Sequence, residues 1–217
     1  MEQARGQGRS VVLLLFLAVL TGFASGCTAR VTPPNPERLE QPQLVWMSAH
    51  KMHAAVIMPT EVAQQWVLYE YGEWRWYAEG NTAWYRFLPV FAWPTRGSLG
   101  RRQMTFSAEM DAETIRRTVD ADQVWGFLVE REHVDALRST LDQRFADHID
   151  TVVYNDKLYT WLVHDPSPYH LLRTCNHVLA QWLRRLGCTV RGWGPYWKWQ
   201  VEDAPYRATR PPPQARP

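Results

Sequence analysis

The sequence predicts one α+β domain, on three observations. Its 217 residues are 46% hydrophobic, which is enough for one good core. Short apolar or alternating runs typical of strands are mixed with stretches of helical periodicity. These patterns lack the regular β-α-β order of a parallel sheet, so an α+β arrangement is expected. The net charge is +2, and the Lys and Arg residues are scattered along the chain, so the sequence shows no basic patch that would bind nucleic acid.

The clearest helix follows residue 170, where apolar side chains recur three and four residues apart. Gly187 stands where this helix would end in a left-handed cap. Two further helices are predicted at 111–119, with Asp111 as N-cap, and at 132–145. Strands are predicted at 53–58, 67–71, 102–108, 124–129, 151–154 and 158–163, the last two forming a hairpin. We also expect a helical turn at 62–66 and an interruption of regular secondary structure at the Asp-Pro-Ser-Pro stretch, 165–168.

The N-terminal segment, residues 1–26, resembles the signal peptide of a bacterial lipoprotein. A positively charged start precedes an apolar run at 11–22, and small residues at 24–26 lead to Cys27. In lipoproteins, signal peptidase cuts before such a cysteine and its thiol is lipidated. The resemblance implies a membrane partner held through lipid on Cys27, at the periplasmic face of the outer membrane. A plain transmembrane anchor or an ordinary secretory signal is the alternative.

The remaining chain divides by composition into a tether, a domain and a tail. Residues 27–42 are Pro-rich and lack apolar periodicity, so they are predicted to form a lipidated tether that reaches on the order of 50 Å. Residues 43–203 carry the helical and strand patterns and are expected to fold. Residues 204–217 are rich in Pro and Arg and are expected to be disordered.

Cys175 lies near the start of the clearest helix, on its apolar face. A thiol at this position feels the positive end of the helix dipole, which favours the nucleophilic thiolate. A small buried hydrophobe is the plainer interpretation of the same residue. Cys188 is about 20 Å away along a helix, too far for a disulfide with Cys175, and no role is assigned to it.

Three histidines are candidate bases for Cys175. His53 begins the first buried strand, His164 ends a later strand, and His170 precedes the helix, so the choice stays open on position alone. His50 and His53 are three residues apart on a strand and face opposite sides, so they would not share a metal ion. We therefore expect no metal and no cofactor.

Three boxes resemble the permuted NlpC-type branch of the papain-like superfamily, in which the histidine precedes the cysteine. The similarity spans residues 45–187 and extends to lecithin retinol acyltransferase-like proteins and to a family of uncharacterised bacterial lipoproteins. The boxes are His50-Lys51-Met52-His53, Glu70-Tyr71-Gly72-Glu73 and Tyr169-His170-Leu171-Leu172-Arg173-Thr174-Cys175-Asn176. Lys51 replaces a usual Gly, and Glu73 replaces a usual Asp. The resemblance implies a papain-like fold in which an antiparallel sheet packs against a few helices.

The resemblance also implies a mechanism. Cys175 would attack an acyl carbon, His53 would take and return the proton, and Glu73 would orient the imidazole. The reaction would be hydrolysis of an amide or ester, or acyl transfer, and an envelope location suggests peptidoglycan peptides or lipids as substrates. The alternative is a non-catalytic envelope lipoprotein that keeps the papain-like shell for binding. A hydrogen bond between Cys175 and His53 would favour the enzyme, and a buried Cys175 away from any cleft would favour the binding protein.

Overall fold

The computed structural model describes residues 28–51, 53–81, 93–106, 110–192 and 198–211. Within these ranges the chain forms eleven strands in two sheets and four helices, which confirms the α+β prediction. The strands are β1 (Thr28–Thr32), β2 (Pro42–His50), β3 (His53–Pro59), β4 (Gln65–Glu73), β5 (Thr95–Thr105), β6 (Gln123–Glu130), β7 (Val153–Asn155), β8 (Thr160–Tyr169), β9 (Thr189–Arg191), β10 (Lys198–Val201) and β11 (Tyr206–Thr209). The helices are α1 (Trp74–Tyr77), α2 (Ala112–Thr118), α3 (Arg131–Ala146) and α4 (Cys175–Arg185).

The larger sheet has eight strands in the order β11-β6-β2-β3-β4-β5-β8-β7, and all neighbouring strands are antiparallel. The smaller sheet has the order β10-β1-β9, in which β1 is parallel to β10 and antiparallel to β9. The described sheets are therefore mostly antiparallel, as the sequence predicts.

Both faces of the large sheet are covered, so its central strands are apolar on both sides. On one face, Val56 and Tyr69 belong to the same core cluster as Leu137 of α3 and Leu179 of α4. On the other face, a second cluster joins strand residues to α2, including Trp46, Ile57 and Ile115. This double burial explains the unbroken apolar run at 54–58.

The predicted helix ends are confirmed. The Asp111 side chain accepts a hydrogen bond from the Thr114 N–H at 2.7 Å and caps α2. Thr174 is the N-cap of α4, so this helix begins at Cys175. Gly187 has φ +88°, the left-handed conformation that a glycine adopts without a steric penalty.

Two local predictions are wrong. The turn at 62–66 is not helical: Gln64 has φ +65° and β4 begins at Gln65. The Asp-Pro-Ser-Pro stretch does not interrupt the secondary structure, because β8 continues through it to Tyr169. Pairing with β5 is irregular here, with Gly97 opposite Asp165 and Thr95 opposite Tyr169. Prolines are tolerated in a strand where the ladder is bulged, since their missing N–H then breaks no regular pair.

The predicted tether is largely folded. Residues 28–32 form β1, in which Ala29 and Val31 are fully buried between β9 and β10. Asn35 caps a short 3-10 turn at Pro36–Arg38, and β2 begins at Pro42. The prolines therefore lie in the connection between two strands. Residues 28–32 form a strand despite the coil-like composition of the segment, because their side chains alternate between buried and exposed.

The predicted tail is also partly folded. Tyr206–Thr209 pairs with β6 as β11, and the Arg210 guanidinium forms ion pairs with Asp120 and Asp122. The predicted signal peptide, Cys27 and residues 212–217 lie outside the described residues. In the part of the chain that is described, no helix has the length and apolar character needed to cross a bilayer.

Candidate active site

Cys175 is the first residue of α4, and its side chain faces the core. Its thiol is only 5% exposed, and it belongs to the same apolar cluster as Val178 and Leu179. The Thr174 and His177 side chains form a capping box at this helix start. The predicted position and inward orientation of Cys175 are therefore confirmed.

His53 lies where β3 and β4 separate. The last residue pair between these strands is Ala55 with Glu70, so His53 stands just beyond the paired region. Its side chain is hydrogen-bonded to Cys175. Its Nε2 lies 2.8 Å from Oε2 of Glu70, and its Nδ1 lies 2.9 Å from the Tyr77 hydroxyl. The structure thus brings together the predicted pair, Cys175 and His53.

The surroundings of His53 favour its charged form. Burial alone would lower the pKa of this imidazole, but hydrogen bonds to Cys175 and Glu70 and the charge of Glu70 outweigh burial and raise the pKa to about 10. The side chain of Glu70 is 9% exposed, so its charge is poorly screened. Near neutral pH, His53 is therefore an imidazolium that donates from both ring nitrogens.

The carboxylate at His53 belongs to Glu70, and the predicted orienting role of Glu73 is corrected accordingly. Residues three apart on a strand point to opposite faces, so only one of these two glutamates faces His53. Glu73 instead caps α1 by accepting a hydrogen bond from the Trp76 N–H at 2.8 Å. The signal for Glu70 in the sequence is a lone carboxylate inside an apolar strand, which is costly to bury without a partner.

Tyr77 is a contact of His53 that the sequence pattern does not indicate. Its ring lies over Gly72, where an added Cβ would come within 2.2 Å of the Tyr77 Cδ2 atom. The Asn155 side-chain amide donates to the Tyr77 carbonyl at 2.5 Å. A glycine on β4 and an asparagine on β7 therefore fix the tyrosine whose hydroxyl meets the imidazole.

Tyr169, the last residue of β8, contacts Cys175 from the other side. Its hydroxyl donates to the Cys175 sulfur at 4.0 Å and accepts a hydrogen bond from the Cys175 backbone N–H. Its ring stacks on that of Tyr71, with centroids 5.8 Å apart. Burial, followed by the proximity of Cys175, raises the pKa of Tyr169 well above its usual value, so the hydroxyl keeps its proton.

The other candidate bases have different surroundings. The His164 ring packs edge-on against Trp74, with centroids 3.8 Å apart, and burial lowers the pKa of this imidazole. The backbone of His170 pairs with Arg173 in a tight turn before α4. Among these three candidate bases, His53 has a described hydrogen bond to Cys175.

His53 and Glu70 also line a cleft of about 570 Å³ on the α2 side of the sheet. The opposite wall is built by Arg102 of β5, by the end of α2, and by the turn between β7 and β8. Cys188 lies elsewhere in the core, 5% exposed, and burial raises the pKa of its thiol to about 12. Cys175 and Cys188 are not joined in a disulfide, as their spacing along the helix predicts.

Within the described ranges, no group of three or more His, Cys, Asp or Glu side chains is arranged to hold a metal ion. Comparisons of the chain with family models, with curated proteins and with solved structures gave no match.

Proposed function

We propose that this protein is a cysteine hydrolase or acyltransferase of the permuted NlpC-type papain-like class. The observation that carries the proposal is the hydrogen-bonded series Cys175–His53–Glu70, with Cys175 at the start of a helix. A nucleophile, a base bonded to it, and a third group that orients the base are the parts that covalent acyl transfer requires. The order of histidine before cysteine, and a cysteine helix packed on an antiparallel sheet, agree with the papain-like resemblance.

The reaction would begin with attack by Cys175. The thiolate forms a C–S bond to the acyl carbon, and the carbonyl oxygen becomes an oxyanion. Protonated His53 gives its proton to the leaving amine or alcohol as the tetrahedral intermediate collapses to a thioester. A water or a second acceptor then attacks the thioester, His53 takes the proton from it, and the thiolate leaves.

Two groups beside the sulfur would stabilise the oxyanion. Tyr169 holds a protonated hydroxyl 4.0 Å from the Cys175 sulfur, and the Cys175 backbone N–H lies at the positive end of α4. Both donors lie beside the sulfur before charge develops, and each would exchange its present partner for the oxyanion. Glu70 would keep the imidazole oriented and charged throughout the first half of the cycle.

The test uses the full chain and an activated ester, p-nitrophenyl acetate. We expect Cys175→Ala to abolish p-nitrophenol release and to remove the acetyl adduct from the intact mass. Cys188→Ala is the matched control, because it also replaces a buried thiol, and it should keep both signals. An adduct that persists in Cys175→Ala would rule out this cysteine as the nucleophile.

The near-complete burial of Cys175 supports the competing interpretation, a non-catalytic binding protein. That interpretation would prevail if Cys175 in the folded chain resisted both the ester and iodoacetamide while the unfolded chain reacted at once.

We further propose that the protein is an envelope lipoprotein, anchored through lipid on Cys27 at the periplasmic face of the outer membrane. The support is the signal-like sequence before Cys27, and peptidoglycan peptides and lipids are the substrates within reach of such an anchor. Expression with labelled palmitate should label the wild-type chain and leave Cys27→Ala unlabelled. Equal labelling of both would refute lipidation at this residue.

A further inference from the structure

The cleft beside His53 has a floor that carries an ion pair and a wall that carries cations. Its floor carries Glu70, whose Oε1 is buried and has no hydrogen-bond partner among the described residues. Its wall carries three cations, which come from three separate elements: Arg102 of β5, Arg117 of α2 and Lys157 of the β7–β8 turn. The Glu70 carboxylate on the floor is paired with the His53 imidazolium, so an anion in the cleft would be attracted chiefly to the wall.

The carboxylates that line the cleft already have partners. Glu70 is bound by His53, and Asp120 is bound by Arg210 at 2.5 Å. Within the described ranges, Arg102 and Lys157 form no ion pair with a carboxylate. Arg117 is paired with Glu113, so among the described residues the unpaired positive charge of the wall comes from Arg102 and Lys157.

Among the described residues, Arg102 is held in place by one hydrogen bond and one contact with an aromatic ring. One guanidinium nitrogen donates to the Thr118 carbonyl at 3.1 Å, and the guanidinium carbon lies 5.6 Å from the centroid of the Tyr159 ring. An arginine has five N–H donors in a planar fork that matches carboxylate and phosphate oxygens. A guanidinium oriented in advance costs less side-chain entropy when an anion binds.

The β7–β8 turn that carries Lys157 is also ordered. The Asn155 side chain accepts from the backbone N–H groups of Lys157 and Leu158, and the same side chain donates to Tyr77. One asparagine therefore connects the cationic wall to the tyrosine that contacts His53. These hydrogen bonds of Asn155 fix the position of the wall relative to the candidate catalytic pair.

We infer that this cleft binds the anionic group, a carboxylate or a phosphate, of the substrate whose acyl carbon Cys175 attacks. The inference rests on the proposed function for the acyl chemistry, while the anion site stands on the cleft alone. Arg102 and Lys157, the two wall cations without a described ion pair, bind the anion. The substrate class is an acidic amide or ester.

Anion binding is tested first, by NMR chemical shifts of the full chain titrated separately with inorganic phosphate and with acetate. We expect shifts at residues of the cleft, with the affinity weakened about fivefold in Lys157→Gln and in Arg102→Gln. Arg131→Gln is the matched control, because it removes an exposed cation from the start of α3, and its affinity should equal that of the wild type. The more tightly bound ion identifies which of the two anions the substrate carries.

Absence of cleft shifts with both ions, or equal affinity in all four proteins, would overturn the inference. Lys157 is exposed and its side chain supports no described contact, so a loss of binding in Lys157→Gln cannot come from misfolding.

The connection to Cys175 is tested by alkylation, in which the thiolate displaces iodide. Iodoacetate is anionic and iodoacetamide is neutral, so their rate ratio reports the charge of the approach to the sulfur. This ratio should fall about fivefold in Lys157→Gln and stay unchanged in Arg131→Gln. An unchanged ratio in Lys157→Gln would refute a path from the cleft to Cys175. If neither reagent reacts while phosphate or acetate still binds, the proposed function fails and the anion site remains.

Discussion

His53 has three described side-chain partners: the Cys175 thiol, the Glu70 carboxylate and the Tyr77 hydroxyl. Burial favours the neutral imidazole, which has no proton to give to a leaving group, but hydrogen bonds to Cys175 and Glu70 and the charge of Glu70 raise the pKa and favour the imidazolium. With Glu70 at 2.8 Å, the imidazole is protonated through the neutral pH range. Cys175 and Glu70 together therefore set the protonation state in which a catalytic cycle would begin.

We predict that Glu70→Gln lowers the pKa of His53 from about 10 toward its ordinary value. The reason is that the amide keeps a hydrogen bond but removes the charge that favours the imidazolium. The measurement is the NMR titration of the His53 ring protons. Glu73→Gln is the matched control, since Glu73 caps α1, and it should leave that titration unchanged. A larger shift in Glu73→Gln than in Glu70→Gln would reverse our assignment.

The same proton makes stability depend on pH. The pKa of His53 is higher in the folded protein, about 10, than its ordinary 6.5, so the folded state binds the proton more tightly. This contribution is complete below about pH 6.5 and is lost as the pH rises through 10. We predict that the free energy of unfolding of the wild type, relative to His53→Gln, decreases over this window in urea titrations. A constant difference between the two proteins would contradict the raised pKa.

Tyr169 allows a test that separates stabilisation of an oxyanion from access to the thiol. Alkylation by iodoacetamide develops no oxyanion, whereas acylation by p-nitrophenyl acetate does. We predict that Tyr169→Phe slows acylation of Cys175 by roughly 10²-fold, the loss typical of a missing oxyanion donor, and changes alkylation much less. Parallel rate measurements with the two reagents decide this. Equal slowing of both reactions would indicate that Tyr169 acts only by shaping the site.

At the scale of elements, the site depends on how α1 is seated against β4. Tyr77 ends α1, and its ring occupies the space that a side chain at Gly72 would fill. Packing that is this close does not tolerate an added methyl group without displacement of the ring. The contact between Tyr77 and His53 is therefore a consequence of a glycine in the neighbouring strand.

We predict that Gly72→Ala destabilises the protein by about 1–3 kcal/mol, the usual cost of overpacking, and also slows the reaction of Cys175 with iodoacetamide. Gly126→Ala is the matched control, because its Cβ would come within 2.6 Å of the Trp46 ring on β2. It should lower stability by a similar amount and leave the reactivity of Cys175 unchanged. Urea unfolding and alkylation rates measure the two effects, and equal reactivity of both variants would contradict the proposed link.

The elements that the sequence predicts well are those with strong local patterns. The helix at Cys175 has a continuous apolar face, and the strand after His53 is an apolar run ended by Pro59, so both are found close to their true bounds. The choice between Glu70 and Glu73 depends instead on which face of β4 each side chain occupies. The position of Tyr77 depends on packing over Gly72 and on Asn155, which is 78 residues away in the chain. Contacts of this range leave no periodic signal.

At the scale of the whole molecule, strands from both ends of the described chain join the fold. β1 lies between β9 and β10, and β11 pairs with β6 at one edge of the large sheet. Neither strand is predicted, because five residues at β1 and four at β11 are too few for a pattern to outweigh their Pro- and Arg-rich neighbourhoods. Long-range pairing, rather than local propensity, fixes these segments.

We predict that Val31→Asp destabilises the protein by several kcal/mol, because it places an unpaired carboxylate in the core. Val31 is fully buried, whereas its neighbour Arg30 is exposed on the same strand. Arg30→Asp is therefore the matched control and should change stability by less than about 1 kcal/mol. Thermal or urea unfolding of the two variants gives the comparison. Equal, small effects in both would mean that β1 contributes nothing to the fold.

β1 begins at Thr28, the residue directly after the proposed lipid attachment site, Cys27. In a lipidated chain, the first residue of β1 would lie one peptide unit, about 3.8 Å, from the acylated cysteine. The domain would rest against the bilayer surface in a restricted orientation, and diffusion of the lipid within the membrane plane would carry it to its substrates. The domain would then act on substrates in the headgroup region and immediately above it.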